Sequence, residues 1–448
     1  MKEKNDRPDM PVDKKKKKSP PVAPDAKKTH KKPSVDPVGT TIRLGRSIRA
    51  GGSYVVKVSH KAYDDFNAFT QGAQPSKQRT RRGRFAPRTK LPKNLTYIIF
   101  LLSIFLIMSV ALMVLNNASV TVDRQTISLV GLPKELEGFN LLLISDLHAR
   151  SFGVGQTSLL RTINGLSYNA IVFAGDMVGK SGNPEPFFEL LDGITANRPM
   201  YFISGDSDPD PLLSETRGTV GTLNQLVLSD WALGAIERGA TYLTATSGIK
   251  AGSATLWLTP SSRLSENIQE SLKLFNEQVT VEAEGTIEGL QTDREILPFT
   301  SFRRNQLKKT DEAMRQMKQE DVHIAVSHFP PTKEYIEVTQ QLYTGDEFQY
   351  EYLPTVDLVL AGHYCGGGWK LPFVGALYVP NTFLDRRGWF PAQEDVQGIK
   401  RLGSTQLYTS PGLSVTDALW LPNFRLFNSP TITILTFTSA VTGDLLGG

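Results

Sequence analysis

The chain of 448 residues holds a single cysteine, Cys365, which excludes an internal disulfide framework and leaves one thiol for other chemistry. Histidine is nearly as scarce: six occur, and only His148, His323, His328 and His363 lie beyond residue 115. Acidic residues are thin in the first 94 positions, where 8 Asp and Glu face 25 Lys and Arg; that net of +17 leaves the other 354 residues at −12 beneath an overall +5. The same 94 residues lack the spaced apolar positions from which a core grows. They carry the run Lys14 to Lys18, several prolines and the cluster Arg79-Thr80-Arg81-Arg82-Gly83-Arg84, so residues 1–94 are expected to be a basic, mostly disordered tail. No G-x-S-x-G elbow surrounds Ser207 or any other serine, which argues against a serine hydrolase.

Charge is missing again from Leu95 to Leu115, 21 residues without Asp, Glu, Lys or Arg. About 20 such residues are needed to cross a hydrocarbon core of about 30 Å as a helix, and residues 95–115 are read as a transmembrane helix. Arg81, Arg82, Arg84, Arg88, Lys90 and Lys93 crowd its N-terminal side, whereas Arg124 is the first basic residue after it. The positive-inside rule then sets the N-terminus in the cytoplasm and the rest outside. The run exceeds the usual h-region of about 7–15 residues, and no small-x-small cleavage site follows, which favours an uncleaved signal anchor. It also begins too far beyond Thr80-Arg81-Arg82 for a twin-arginine signal. Because topology accounts for the basic charge, no nucleic acid is expected as a partner. Residues 116–138 are expected to be a linker.

Beyond residue 139, short apolar runs alternate with amphipathic stretches, the pattern of a sheet covered by helices and hence of an α/β fold. Leu141 to Ser145, Ala170 to Ala174, Met200 to Ser204, Val322 to Val326 and Val356 to Leu360 read as strands, with Thr431 to Phe437 closing the chain. Ser158 to Leu166, Pro186 to Ile194, Leu264 to Gln278 and Arg304 to Gln319 read as helices. The last two bracket a polar stretch expected to be a lid or cap, so residues 245–320 are expected to be an insertion in a domain spanning 139–438.

Five of the strands run into a short motif: Asp146-Leu147-His148, Gly175-Asp176, Gly205-Asp206-Ser207-Asp208, Ser327-His328 and Gly362-His363-Tyr364-Cys365. Strand C-termini are where open α/β sheets build their sites. An Asp and a His two residues apart can turn toward one ion. A carboxylate after the small Gly175 has two oxygens with which to bridge two ions. A histidine after an apolar strand is more often structural than a ligand, but here three of the four beyond residue 115 stand at such positions. Asp208 and Asp210 are close enough in sequence for a glycosidase carboxylate pair, although Pro209 between them favours capping or solvation.

These motifs resemble those of the calcineurin-like metallophosphoesterase superfamily, whose pattern is D-x-H, G-D, G-N-H-[DE], H and G-H-x-H. The resemblance covers about residues 139 to 438. Gly366 to Phe373 and Gln406 to Leu413 are similar to the G-H-T-H-G-G-Q and L-Y-V-S-x-G-L stretches of its bacterial membrane-associated branch. It implies a four-layer α/β/β/α sandwich and two divalent metal ions (Mn, Fe or Zn) clamping a phosphoryl group. Asp146, His148 and Cys365 would hold the first ion, Asp176 would bridge, and Asp206, His328 and His363 would hold the second. Asp206, Ser207 and Asp208 occupy the catalytic third motif.

Three residues depart from the pattern. Asp206 stands where the family has Asn, and Cys365 where it has the last His; each adds a negative charge to the ligand set, which takes it from −2 to −4 against two divalent ions. A site near neutrality attracts phosphate less and acidifies its water less, while a thiolate favours softer ions such as zinc or iron. Ser207 replaces the histidine that helps the leaving group depart, and serine is no general acid near neutral pH. His323 is the one unassigned histidine in the domain able to compensate. The expected function is a membrane-anchored, metal-dependent phosphohydrolase cleaving a phosphoester or pyrophosphate, with a phosphorylated small molecule or lipid-linked envelope compound as substrate. The competing expectation is a weak or inactive domain that binds metal or a phosphorylated ligand.

Overall fold

The structure is a computed structural model that describes residues 40–43, 55–58, 92–212, 227–284, 297–343, 351–380, 388–415 and 424–440. Within the basic tail, β1 (Thr40–Arg43) and β2 (Val55–Val58) pair antiparallel; the rest of residues 1–91, and with it most of the expected disordered tail, lies outside the described residues.

Helix α1 (Lys93–Ala118) has 26 residues, and its segment Asn94–Ala111 is long and apolar enough to cross a membrane. Its apolar side chains from Leu95 to Val110 are exposed all round the helix, unlike those of a core helix, which bury one stripe. The chain then enters β3 (Thr121–Leu129). Residues 116–138 were expected to be a linker, and the structure corrects this: β3 pairs over its full length, in parallel, with the final strand, Thr431–Ser439. Its β-branched residues and buried Ile127 and Leu129 make it a sheet edge rather than a spacer.

The domain continues through β4 (Asn140–Ile144), α2 (Thr157–Asn164), β5 (Ala170–Ala174), α3 (Glu185–Gly193), β6 (Met200–Ile203), α4 (Asp230–Glu237) and β7 (Ala240–Tyr242). The second half holds β8 (Ser247–Ala251), β9 (Ala254–Pro260), α5 (Ile268–Glu284), α6 (Leu297–Gln316), β10 (Val322–Val326), α7 (Lys333–Tyr343) and β11 (Leu358–Ala361). A hairpin of β12 (Lys370–Leu371) and β13 (Gly375–Ala376) precedes α8 (Gln393–Val396), β14 (Gly398–Leu402), β15 (Thr405–Thr409) and β16 (Thr431–Ser439).

Two six-stranded sheets result, ordered β3-β16-β4-β5-β6-β7 and β14-β15-β11-β10-β9-β8. The strands β4, β5 and β6 run parallel, as do β9, β10, β11 and β15. The runs Leu-Leu-Leu-Ile, Ala-Ile-Val-Phe-Ala and Val-His-Ile-Ala-Val are apolar throughout or nearly so because both faces of a parallel sheet are covered. Alternation divides each strand between two cores. Leu141, Leu143, Val172 and Ala174 meet Leu256, Leu258, Ile324 and Leu360 between the sheets. Their neighbours Leu142, Ile144, Ile171 and Phe173 pack outward onto Leu159 and Ile163 of α2, Phe187 of α3 and Trp231 of α4. On the other outer face Ala325 and Val359 lie under Leu272 of α5, Leu307 and Met314 of α6 and Ile336 of α7. The architecture is therefore the four-layer α/β/β/α sandwich.

The expected insertion at 245–320 is corrected here. β8 and β9 belong to the second sheet, β9 lying beside β10 from Leu256↔Val322 to Pro260↔Val326, and α5 and α6 form its outer layer. Polarity on the outer faces of these helices concealed their core role. What remains of the irregular stretch, residues 285–296, lies outside the described residues.

Candidate metal centre

The C-terminal ends of β4, β5 and β6 face those of β10 and β11, so all five motifs converge. The loops beyond the strands continue the ladder: the backbone N–H of Asp146 donates to Gly175 O at 3.1 Å, that of His148 to Asp176 O at 2.8 Å, and that of Gly362 to His328 O at 3.0 Å. Two groups of donors form there. Asp146, His148 and Cys365 make one and Asp176, Asp206, His328 and His363 the other, with the ligand atoms within 4.8 Å of one another in each. Every candidate metal residue read from the sequence falls into one of these two groups.

In the second group, His328 Nε2 lies 3.1 Å from Asp206 Oδ1, 3.2 Å from Asp176 Oδ2 and 3.2 Å from His363 Nδ1, and His363 Nδ1 lies 3.2 Å from Asp206 Oδ1. A tetrahedral shell with bonds of about 2.0–2.1 Å places its donors about 3.3 Å apart, so this spacing suits a cation at the centre. The other nitrogen of His328, Nδ1, lies 2.9 Å from the carbonyl of Ala174, the outer contact that fixes the ring of a metal-binding histidine. Asp176 Oδ2 also lies 3.5 Å from His148 Nε2, so this one carboxylate oxygen stands between the two groups.

Backbone strain is concentrated at the same place. Asp146, His148, Asp176, His363 and Cys365 all have left-handed φ, between 48° and 74°, a conformation costly for residues with a Cβ and typical of sites where geometry serves function. Glycines permit the close approach. A Cβ on Gly175 would sit 2.5 Å from His328 Nδ1, and one on Gly205 only 2.0 Å from Asp176 Oδ1.

The electrostatics fit a cation. Burial acts against ionised Asp176 and Asp206, yet the hydrogen bonds and charges of the neighbouring histidines hold both carboxyls below the ordinary range. Burial likewise opposes a charge on His328, but its contacts with Asp176 and Asp206 raise it well above the usual histidine value. The carboxylates thus draw positive charge to the point where the donors meet. Burial, followed by the nearby Asp146 carboxylate, pushes the Cys365 thiol well above its usual value, so a cation must displace its proton to gain the sulfur as a thiolate ligand.

The third motif has divided roles. Asp206 points inward yet its side chain remains 45 % exposed, the one accessible member of the two groups. The N–H of Ser207 donates to Asp176 Oδ1 at 2.9 Å, orienting the intermediate carboxylate. Asp208 was expected among the catalytic residues; its Oδ1 accepts the N–H groups of Val178 and Gly179 at 2.7 and 2.8 Å and its Oδ2 that of Gly205 at 2.9 Å. It ties the second motif to the third and acts as a positioning residue. Asp210 accepts the N–H of Leu212 at 3.0 Å, capping a turn. His323 sits mid-strand in β10 with Nε2 2.8 Å from Thr259 Oγ1 and Nδ1 3.0 Å from Pro354 O, and burial lowers it to about 4. It is locked in the sheet and does not replace the missing acid at Ser207.

Several residues that carried no motif signal complete the centre. Ser145 Oγ donates to Asp146 Oδ2 at 2.5 Å and lies 2.8 Å from Ser410 Oγ, while the N–H of His363 donates to Asp146 Oδ1 at 2.9 Å. Arg425 is fully buried, and its guanidinium donates to the carbonyls of Pro411, Gly412, Ser414 and Asn428. Asn428 Nδ2 in turn donates to the carbonyl of Gly366 at 3.0 Å, beside Cys365. Ser410 and Gly412 lie in the Gln406–Leu413 stretch, but nothing in the sequence points to Arg425.

No curated protein sequence matches the chain. Among solved structures, a phosphopantetheinyl hydrolase from Mycobacterium tuberculosis aligns at 12 % identity and a TM-score of 0.28, over 62 % of this chain and 91 % of that one. The sequence pattern of the calcineurin-like phosphoesterases matches residues 139–366, from the strand before the first motif to the Cys365 turn. With that match spanning half of its length, the chain belongs to the calcineurin-like phosphoesterase family, a family of phosphoester hydrolases that use divalent metals.

Proposed function

We propose that the chain is a membrane-anchored phosphohydrolase with two divalent ions, manganese, iron or zinc, cleaving a phosphoester or pyrophosphate of a small molecule or lipid-linked envelope compound. Asp146, His148 and Cys365 hold one ion, Asp206, His328 and His363 the other, and Asp176 serves both. The observation that carries this reading is Asp176 Oδ2, within 3.5 Å of His148 and 3.2 Å of His328. Bound there, such ions supply Lewis acidity toward phosphoryl oxygens and a more acidic water.

The chain's own residues do the rest. The Ser207 N–H and the Asp208 staple keep the Asp176 carboxylate aimed. Asp206, the exposed member, marks the side from which substrate enters. Neither Ser207 nor the locked His323 supplies a proton to the departing group, so the site suits leaving groups that depart as stable anions, such as a phosphate from a pyrophosphate or a low-pKa alcohol from an ester. Helix α1 spans the membrane with the basic tail in the cytoplasm, and the domain lies outside.

The departures at Asp206, Ser207 and Cys365 also support a second reading, a domain that binds metal and phosphate without turnover. Metal content by mass spectrometry of the purified chain, combined with turnover of p-nitrophenyl phosphate, bis-p-nitrophenyl phosphate and a lipid pyrophosphate, separates the two. Two ions per chain with turnover of at least one substrate is the expected result; two ions and no turnover would establish the binding domain instead.

A further inference from the structure

Among the described residues beyond α1, every exposed Phe or Trp falls between positions 371 and 427: Phe373, Trp389, Phe390 and Phe427, with Leu371 and Val374 exposed beside them. Phe373 is at full exposure, 108 %, at the tip of the β12–β13 hairpin, and Phe390 is 71 % exposed. Phe373, Phe390 and Phe427 all have left-handed φ, of 66°, 54° and 48°. A bulky residue rarely adopts that conformation, and it persists only where surrounding structure enforces it. Here the strain holds large apolar rings out in solvent, where exposure alone offers no return.

Backbone bonds join these segments into one unit. The N–H of Lys370 donates to Leu426 O at 2.8 Å and that of Phe390 to Leu377 O at 2.7 Å. Tyr378 bridges Trp389, and Trp369 Nε1 donates to Phe424 O at 3.0 Å. The same unit grips the end of the apolar helix: Asn117 Oδ1 accepts the N–H of Arg425 at 2.8 Å, Asn117 Nδ2 donates to Arg425 O at 2.6 Å, and Arg150 Nη2 donates to Asn117 O at 2.7 Å. Arg425 and Arg150 flank the metal-binding loops, and the Cys365 turn leads within five residues into β12. The exposed aromatics, the ligand loops and the emerging helix are therefore mechanically continuous.

We propose that this aromatic rim is a lipid-docking surface, which seats the metal-binding loops against the bilayer face from which α1 emerges. The inference rests on the reading of α1 as a membrane span and adds the orientation of the site. The occupant is lipid rather than a partner protein because the rim is continuous with the end of an apolar helix whose whole circumference is exposed. Trp389 is of the type enriched at the membrane–water boundary, and Phe and Leu are side chains that interfacial elements sink below the headgroups. Seated in this way, the site takes its phosphate from the interface rather than from bulk solvent.

The test uses the full chain in phosphatidylethanolamine–phosphatidylglycerol nanodiscs, with a nitroxide placed singly by Phe373→Cys, Phe390→Cys, Met108→Cys in α1 and Leu274→Cys on α5. Cys365, 1 % exposed, is shielded from the label, and the unsubstituted chain supplies the blank. Oxygen and nickel-chelate accessibilities report depth. The expected result is Met108 in hydrocarbon, Phe373 and Phe390 about 5–10 Å into the headgroup–acyl boundary, and Leu274 in water. Rim labels in water with Met108 in hydrocarbon would overturn the docking surface and leave the span intact. Rim labels shielded from both probes would show a protein occupant and overturn lipid. Met108 in water would remove the spanning reading and the docking inference together.

Discussion

The two donor groups share Asp176 as a neighbour but differ in almost everything else. Asp146, His148 and Cys365 are all buried, and their surroundings are braced by Ser145, by Gly412 and by Arg425, three of whose four carbonyl bonds lock the 411–414 loop while the fourth holds Asn428. The second group is open at Asp206, half in solvent and held by contacts to two histidines. A sealed site with a soft sulfur donor suits an ion that stays; an open site of carboxylates and imidazoles suits one that exchanges and meets substrate. The two replacements follow the same division, with Cys365 in the sealed half and the Asp206–Ser207 pair in the open half.

The largest effect is expected where the halves meet. Asp176→Asn weakens the carboxylate both groups lean on, so turnover should fall on the order of 10⁴-fold or more, and metal content should drop in both halves. Loss of one ion alone would show that Asp176 belongs to one half. Next is the open half. Ser207→His combined with Asp206→Asn should raise turnover of alkyl phosphoesters by about 10²- to 10³-fold, with little gain for p-nitrophenyl esters, whose leaving group needs no proton. An equal gain on both would mean that charge, not proton donation, limits the site.

The donors of both halves were legible in sequence. Each motif residue followed a short, nearly continuous apolar run, the mark of a strand covered on both faces, and strand ends are where such folds place their ligands. An α/β fold was therefore readable, and the resemblance to the family implied the four-layer sandwich and the seven candidate donors. Residues whose contribution is contact rather than chemistry were not legible. Arg425 looks like any surface arginine until the chain returns to bury it under Cys365. Strand β3 was hidden because its partner, β16, lies some 300 residues away, and pairing at that separation leaves no local trace. The same holds for β9, read as part of an insertion because its parallel neighbour β10 lies beyond two helices, and for β8, which pairs antiparallel with β9 at the sheet edge. Asp208 was legible as a conspicuous acid but not as the backbone staple that it is.

The brace of the sealed half offers the next test. Burial lowers Arg425 to about 10, still charged at neutral pH. Arg425→Met leaves several buried carbonyls without donors, at a cost of roughly 4 kcal/mol. The expected outcome is a lowered unfolding midpoint and selective loss of the ion in the sealed half. Loss from the open half first would reverse the assignment of which half is sealed.

The smallest effect separates both halves from the sheet that carries them. His323 is buried, its pKa lowered to about 4 by burial against the partial offset of the Pro354 and Thr355 carbonyls. An unfolded histidine titrates near 6.5. Below 6.5 the unfolded chain takes up a proton that the folded chain refuses, so stability falls as pH drops from about 6.5 to about 4, by at most about 3 kcal/mol, and levels off below. Denaturant unfolding of the detergent-solubilised chain across that range should show the slope, and His323→Gln should flatten it. An unchanged slope would show that His323 does not set it; His328 would not account for it either, because its raised value favours the folded chain as pH falls.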